Sequence, residues 1–338
     1  MEPAVIAALV TAGSSLAVAL WSFAATRLNQ ASLERLRADL GEHAAARQAR
    51  RDYEYEAAKR LYREIEPLRF GSIVAAESAA ARVVDLARAA RDGHLDPGGS
   101  WLDDPDDDYF LQSTVYRMLA PLAWVRLGQA KLTTIDFSLD AGLRRWYLLA
   151  RQASMSFSDD FVLAAATPSL RYDPDHPLDG GPTRSRQGVY VGLVEQAVDA
   201  LVAEDSGFEG EAGADVLRFG SFLRRQNEDE RVRVALEPMF DFFRGFHPER
   251  RPVAWRILLS QAVIYRALPS AADVTPGSAA ELALTSDDLT LFEWRPAAHH
   301  CEEGDEVADD VTAAASYVAS AFALAESVWE RSNPDTPP

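Results

Sequence analysis

The feature that most constrains this chain is a run of 24 residues near its start that contains no charged side chain. The run extends from Pro3 to Thr26 and reads PAVIAALVTAGSSLAVALWSFAAT. As an α-helix it would be about 36 Å long, enough to cross a hydrocarbon core of about 30 Å. Trp21 lies towards its C-terminal end, where an aromatic ring suits the membrane–water interface. The run therefore predicts a transmembrane anchor over residues 1–26, with the lipid bilayer as its partner.

Two other interpretations of this run are open. A cleaved signal peptide normally has a basic start and a shorter apolar run of about 7–15 residues, whereas only Met1 and Glu2 precede this one. Ala17-Val18-Ala19 does match the small-x-small pattern of a cleavage site. A buried helix of a soluble core is the second alternative, because the run is rich in Ala and only moderately apolar. We favour the anchor because of its length and its missing basic start.

The charges that flank the run predict its orientation. Basic residues follow it closely and none precedes it; they are Arg27, Arg35, Arg37 and Arg47. The positive-inside rule then puts the short N-terminus outside and the rest of the chain in the cytoplasm. Lys occurs only at positions 59 and 131, and Arg supplies the rest of the 34 basic residues. Arg in place of Lys is typical of GC-rich genomes, so we expect a protein of the bacterial inner (cytoplasmic) membrane.

Small residues on the run could also pack against a second helix. Ala8, Ala12, Gly13 and Ala17 recur at close to helical spacing, and small side chains allow helices to approach closely in lipid. This spacing predicts helix packing within the membrane and a homo-oligomer.

The rest of the chain predicts an all-α fold. Residues 27–66 carry nine basic and eight acidic residues without a proline, as in a solvated helix, and we name them the stalk. Pro67 is expected to kink or end this helix, and Pro238 to kink or split a later one. The only stretch that alternates like a strand is Leu289–Trp294. The predicted regions are a helical region A at 67–166, an irregular linker at 167–187, a helical region B at 188–331 and a disordered tail at 332–338.

Net charge excludes one class of partner. With 52 acidic against 34 basic residues, the chain has a formal charge of −18 and repels phosphate backbones, so we expect no nucleic acid. The single cysteine, Cys301, excludes an internal disulfide framework.

Arginines that stand out against this acidic background are candidates for binding a small anion. The guanidinium group is a planar fork that matches carboxylate and phosphate. The candidates are Arg184, Arg186, Arg250 and Arg251, with Arg224 and Arg225 as a further basic spot. For each, a helix-end charge or a salt bridge to a nearby acid is the alternative interpretation.

One short cluster has the side chains of a metal site. His299, His300 and Cys301 are consecutive, and imidazole and thiolate are the donors that zinc prefers. Consecutive residues do not easily point at one ion, however, so an acidic loop before the last helix is the simpler interpretation. The run of aspartates at 103–108 is interpreted as capping of the helix that follows at Tyr109, and we expect no cofactor.

No phosphate loop, GxGxxG, HExxH, CxxC or GxSxG motif occurs in the chain, so its sequence favours a protein that is not an enzyme. The leading hypothesis is a single-pass membrane-anchored interaction, scaffold or signalling protein with a protein partner. A ligand-gated oligomeric membrane effector of the stress or phage-defence type, which senses a small anion, is the second. A metal-dependent enzyme is the third.

Overall fold

The computed structural model describes residues 3–99, 101–104, 108–132, 140–165, 187–203, 215–269, 290–295 and 304–332. Within its helices, the side chains of residues 3–20, 24–26, 28–29, 31–32, 34–35, 54, 130–132 and 304–309 lie outside this description. The chain divides into two compact units, Met1–Arg60 and Leu61–Pro338.

The described residues are almost entirely helical, so the predicted all-α class is confirmed. The helices are α1 (Pro3–Arg91), α2 (Tyr109–Leu132), α3 (Ala141–Ser156), α4 (Asp160–Ala164), α5 (Val191–Asp199), α6 (Phe219–Glu228), α7 (Glu230–Phe243), α8 (Pro252–Ala267) and α9 (Gly304–Ser332). The one sheet in this part of the chain pairs β1 (Val202–Ala203) with β2 (Asp215–Val216) in antiparallel register.

Helix α1 does not end where the sequence predicted. It passes Pro67 and continues to Arg91, and α7 likewise passes Pro238, so neither proline ends or splits its helix. A proline inside a helix removes one hydrogen bond and costs about 3 kcal/mol. Leu61, Ile65 and Leu68 surround Pro67 and are buried in the core, and their packing outweighs that cost.

Most of the stalk forms a solvated helix within α1, but its last turn does not, since Leu61 and Ile65 are buried. The side chains of residues 36–50 are all exposed, and so is Leu33. Local contacts one turn apart link its polar groups, such as Gln48 Nε2 donating to Asp52 Oδ1 at 2.9 Å. Mixed charge and i,i+4 contacts of this kind are what keep an unpacked helix helical.

Helix α8 is the central element of the second unit. Of its 16 residues, 14 are buried, including Trp255, Ile257 and Leu258. The residue before it, Arg251, provides no side-chain cap. Gln187 supplies one instead, since its Oε1 accepts hydrogen bonds from the backbone N–H groups of Val253 (2.9 Å) and Ala254 (3.2 Å). The helix therefore depends on neighbouring segments both for its burial and for its cap.

The predicted strand at Leu289–Trp294 is wrong for its described part, residues 290–295, which begins with a helical turn and contains no strand. Phe292 and Trp294 are both buried, and this explains the alternation of apolar residues. Phe292 also lies under the guanidinium of Arg266, 5.6 Å from the ring centroid. A strand needs a partner to satisfy its backbone, and alternation alone does not supply one.

Candidate functional site

Arg250 and Arg251, two of the predicted anion ligands, contact backbone carbonyl groups. Arg250 Nη2 donates to the carbonyl of Leu95 at 2.8 Å. Arg251 Nη1 donates to the carbonyl of Phe242 at 2.8 Å, and its guanidinium lies 5.8 Å from the centroid of the Phe242 ring. Phe242 is in the last turn of α7, whose carbonyls have no partner within the helix. These contacts account for both arginines structurally, and anion binding by them stays a prediction.

Other predicted site residues lie outside the described residues. They are Arg184, Arg186, His299, His300 and Cys301. The backbone of Ala8, Ala12, Gly13 and Ala17 is helical within α1, but their side chains are not described. In the ranges that are described, no group of three or more His, Cys, Asp or Glu side chains could hold a metal ion.

The basic spot at Arg224 and Arg225 lines an open depression that it shares with Glu228, Asp229 and Glu230. Arg225 Nη1 donates to the carbonyl of Val202 at 2.8 Å and ties α6 to β1. With three carboxylates against two guanidinium groups, this depression is not positively charged and does not favour an anion.

The aspartate run has a structural role at one described position. Asp103 Oδ1 accepts a hydrogen bond from the backbone N–H of Gly245 at 2.8 Å. Gly245 has a φ of +59°, a left-handed conformation that glycine adopts without strain. Asp103 therefore fastens the turn that follows α7.

His247 is a buried titratable group near that turn. Its Nδ1 accepts a hydrogen bond from the backbone N–H of Glu249 at 3.2 Å, and its Nε2 lies 3.6 Å from Asp96 Oδ1. The Trp294 ring meets it edge-on, with 5.7 Å between the ring centroids. Burial, and then the positive charge of Arg250, lower the pKa of His247, while Asp96 and Glu249 act in the opposite direction. The lowered pKa favours the neutral form of the imidazole in the folded protein.

Polar contacts hold α9 against its neighbours in the second unit. They join Asp310 to Arg256 Nε of α8 (2.6 Å), Tyr317 to Asp159 before α4 (2.5 Å) and Glu326 to Arg145 Nε of α3 (3.3 Å). Gln152 Nε2 of α3 also donates to the hydroxyl of Tyr317 at 2.7 Å. Between these contacts, Val311, Val318 and Phe322 are buried. Helix α9 is thus fixed by both apolar packing and polar pairs.

One helix within the described residues is long and apolar enough to cross a membrane by length and composition, and it is Asp310–Ser332 of α9. It lies near the C-terminus and not at the N-terminus, where the sequence predicted the span. A core helix of a soluble protein can meet the same criteria. Polar contacts tie one side of this helix to α3 and α8. Most of the predicted anchor falls on residues whose side chains are not described, and the anchor stays a prediction.

The most unusual polar group of the second unit is Arg82 on α1. Only 4% of its surface is exposed. Its Nη2 donates to Ser113 Oγ of α2 at 2.9 Å, and its guanidinium lies 5.7 Å from the centroid of the Trp101 ring. Trp101 in turn stacks on Phe110, with 4.7 Å between ring centroids and 9° between planes. Within the described residues, Arg82 Nε has no hydrogen-bond partner.

A second cation lies beside Arg82. Arg117 is one helical turn beyond Ser113 on α2, and residues four apart share a helix face. Burial, followed by the positive charge of Arg117, lowers the pKa of Arg82, and Asp85 partly offsets this. In the described part of the chain no carboxylate lies within ion-pair distance of either guanidinium, and Asp85 itself lies 3.9 Å from Arg88. The site formed by Arg82, Ser113 and Arg117 is named the arginine pair site.

The candidate residues taken from the sequence did not include Arg82, although one feature of the sequence pointed to it. Arg82 lies among the small and apolar residues Ala79, Val83 and Leu86, which are all buried on the core-facing side of α1. A charged residue on such a face needs a partner, and this makes it a candidate functional residue. Its contacts with Ser113 and Arg117 were not visible, since more than 30 residues separate them along the chain.

Comparisons of the chain with protein-family models, with curated proteins and with solved structures found no match.

Proposed function

We propose that this is a single-pass membrane-anchored protein of the bacterial inner membrane, with a short N-terminus outside and a cytoplasmic helical domain that acts as an interaction or signalling module. The observation that carries the proposal is the inclusion of the uncharged run 3–26 in α1, a helix without interruption. Lipid offers no hydrogen bonds to the backbone, so a spanning segment must satisfy its own, as a helix does. The uncharged composition of the run and its helical backbone are what support the proposal.

Charges placed inside the run test the anchor. Each Arg at the centre of a membrane helix costs about 2.5–3.5 kcal/mol for insertion, so Leu16→Arg with Leu20→Arg should move the full-length protein from the membrane pellet to the supernatant. Leu36→Arg with Leu40→Arg is the matched control, because these leucines are exposed on the stalk. The control should stay in the pellet. A wild-type protein found in the supernatant, or a Leu16/Leu20 variant that stays in the pellet, would contradict the anchor.

An exposed apolar pair supports the interaction role. Phe70 and Val74 lie one turn apart on α1 and are 69% and 49% exposed. Large apolar side chains that share an exposed helix face are suited to contact with a partner protein. Crosslinking of the full-length tagged protein in cells should yield a specific adduct that Phe70→Ser with Val74→Ser removes. Val234→Ser, at an exposed apolar position on α7, should leave that adduct intact.

A ligand-gated membrane effector is the second candidate function, and the arginine pair site is the observation that favours it. In such a protein an anion bound by the helical domain would control assembly of the membrane helices. Overproduction of the full-length chain should then slow growth, and both Gly13→Leu and Arg117→Gln should remove this effect. Gly41→Leu provides a matched control, since a side chain at Gly41 would meet nothing within 4 Å. Equal growth of all four strains would refute the effector role.

A further inference from the structure

At the arginine pair site a buried charge has no opposite charge in contact with it among the described residues, unlike the buried charges of Arg256 and Arg145. A buried charge is costly unless an opposite charge or hydrogen bonds compensate it. Arg256 has Asp310 and Arg145 has Glu326 for this purpose. Arg82 has a hydroxyl group, an aromatic ring and a second cation. A chain with 52 acidic residues thus leaves Arg82 without a carboxylate in ion-pair contact among the described residues.

The groups at the site are all hydrogen-bond donors. Arg82 Nε is buried without a partner, and Arg117 makes no ion pair or hydrogen bond with the described residues. Ser113 Oγ accepts from Arg82, which leaves its own proton to donate. Three separate donor groups match the three terminal oxygens of a phosphate group better than the two oxygens of a carboxylate. Guanidinium groups also bind phosphate in a bidentate manner.

The site lies close to the protein surface. Arg117 and Trp101 are both partly exposed, and they flank the buried Arg82. The site therefore has an edge that solvent reaches, formed by these two partly exposed side chains.

We infer that Arg82, Ser113 and Arg117 bind the phosphate group of a small ligand, either free phosphate or a phosphomonoester. This inference names the ligand class of the second proposed function, but it requires neither the anchor nor toxicity. A bound dianion would neutralise the two guanidinium groups and remove their mutual repulsion. The site would thus be least stable when empty and gain stability on binding.

Thermal unfolding of the full-length chain in detergent tests this inference. Inorganic phosphate at roughly ten times its Kd should raise the Tm by about 2–4 °C relative to sodium chloride of equal ionic strength. Adenosine monophosphate, compared with phosphate and adenosine at equal concentration, distinguishes the two sources. A larger shift with the nucleotide than with phosphate identifies a phosphomonoester, and equal shifts identify free phosphate. No shift with either one would overturn the inference.

Substitution of Arg117 separates ligand binding from a structural role. Arg117→Gln should raise the Tm in sodium chloride, because it removes a like charge, and should abolish the phosphate shift. Arg117→Lys should keep a reduced shift, since it retains the charge without the planar fork. Arg126→Gln is the matched control on the same helix; Arg126 pairs with Asp199 at 2.8 Å, and its loss should leave the phosphate shift intact. A phosphate shift that survives Arg117→Gln, or a lower Tm of that variant in sodium chloride, would overturn the inference.

Discussion

Two buried arginines of this protein have opposite neighbours. Arg256 and Arg82 are almost equally excluded from solvent, at 6% and 4% exposed. Arg256 Nε donates to Asp310 at 2.6 Å and its Nη1 to the carbonyl of Leu163 at 2.9 Å, whereas Arg82 lies beside Arg117. Burial alone therefore does not reveal the role of an arginine. Arg256 joins α8 to α9 and α4, whereas Arg82 has no ion pair with the described residues and is therefore where we propose that an anion binds.

The largest loss of stability should come from removing Arg256 and its ion pair with Asp310. Arg256→Met removes a buried guanidinium and its contact with the partly buried Asp310, and we expect the free energy of unfolding to fall by about 3–5 kcal/mol in urea titrations. Arg126→Met breaks an ion pair of similar geometry that is roughly half exposed, and it should cost at most about 1 kcal/mol. Equal losses in the two variants would show that burial does not strengthen the Arg256–Asp310 pair.

Substitution of Arg82 by methionine should change the free energy of unfolding much less. Arg82→Met loses a hydrogen bond to Ser113 worth about 0.5–1.5 kcal/mol, but it also removes the cost of a buried charge beside Arg117. We expect the free energy of unfolding in phosphate-free buffer to change by less than about 1 kcal/mol. A loss of stability as large as that of Arg256→Met would show that Arg82 has an effective partner, as Arg256 does.

His247 is a further buried basic side chain, and unlike arginine it can avoid a buried charge by losing its proton. Its pKa in the folded protein lies below the ordinary value of 6.5. The unfolded chain therefore binds the proton more tightly, so stability decreases as the pH falls through the ordinary value and the loss is complete only below the folded pKa.

We expect this to be the smallest of the three effects. The Tm of the wild type should fall more than that of His247→Gln when the pH is lowered from about 7.5 to about 5.5, since glutamine has no proton to gain. Glutamine can still accept the hydrogen bond from the N–H of Glu249. Parallel pH dependences of the two proteins would show that protonation of His247 is not coupled to folding.

Helices were predictable from this sequence where their periodicity is local. Val311, Val318 and Phe322 have helical spacing near the end of the predicted helical region B, and α9 spans Gly304–Ser332. The passage of α1 through Pro67 was not predictable, because it depends on core packing that overrides a local penalty. The pairing of β1 with β2 joins short segments 12 or more residues apart, and neither segment has a pattern of its own.

The candidate site was less predictable than the fold. Arg250 and Arg251 stood out as neighbours in the sequence, but their contacts with the carbonyls of Leu95 and Phe242 depend on tertiary structure. Arg82 did not stand out, because its exclusion from solvent arises only when α2 packs against α1. Which arginine has a carboxylate and which does not is a property of the folded chain, and a single sequence does not contain it in a local pattern.

The burial of α8 on nearly all sides has a consequence for how the second unit opens. A helix with 14 of 16 residues buried has no solvated face from which it could peel away on its own. Its amide hydrogens should therefore exchange with deuterium only when the whole unit unfolds, and their exchange rates should report its global free energy. Amides of the exposed stalk should exchange many times faster, so a single hydrogen-exchange experiment would measure the range of local stabilities in the chain.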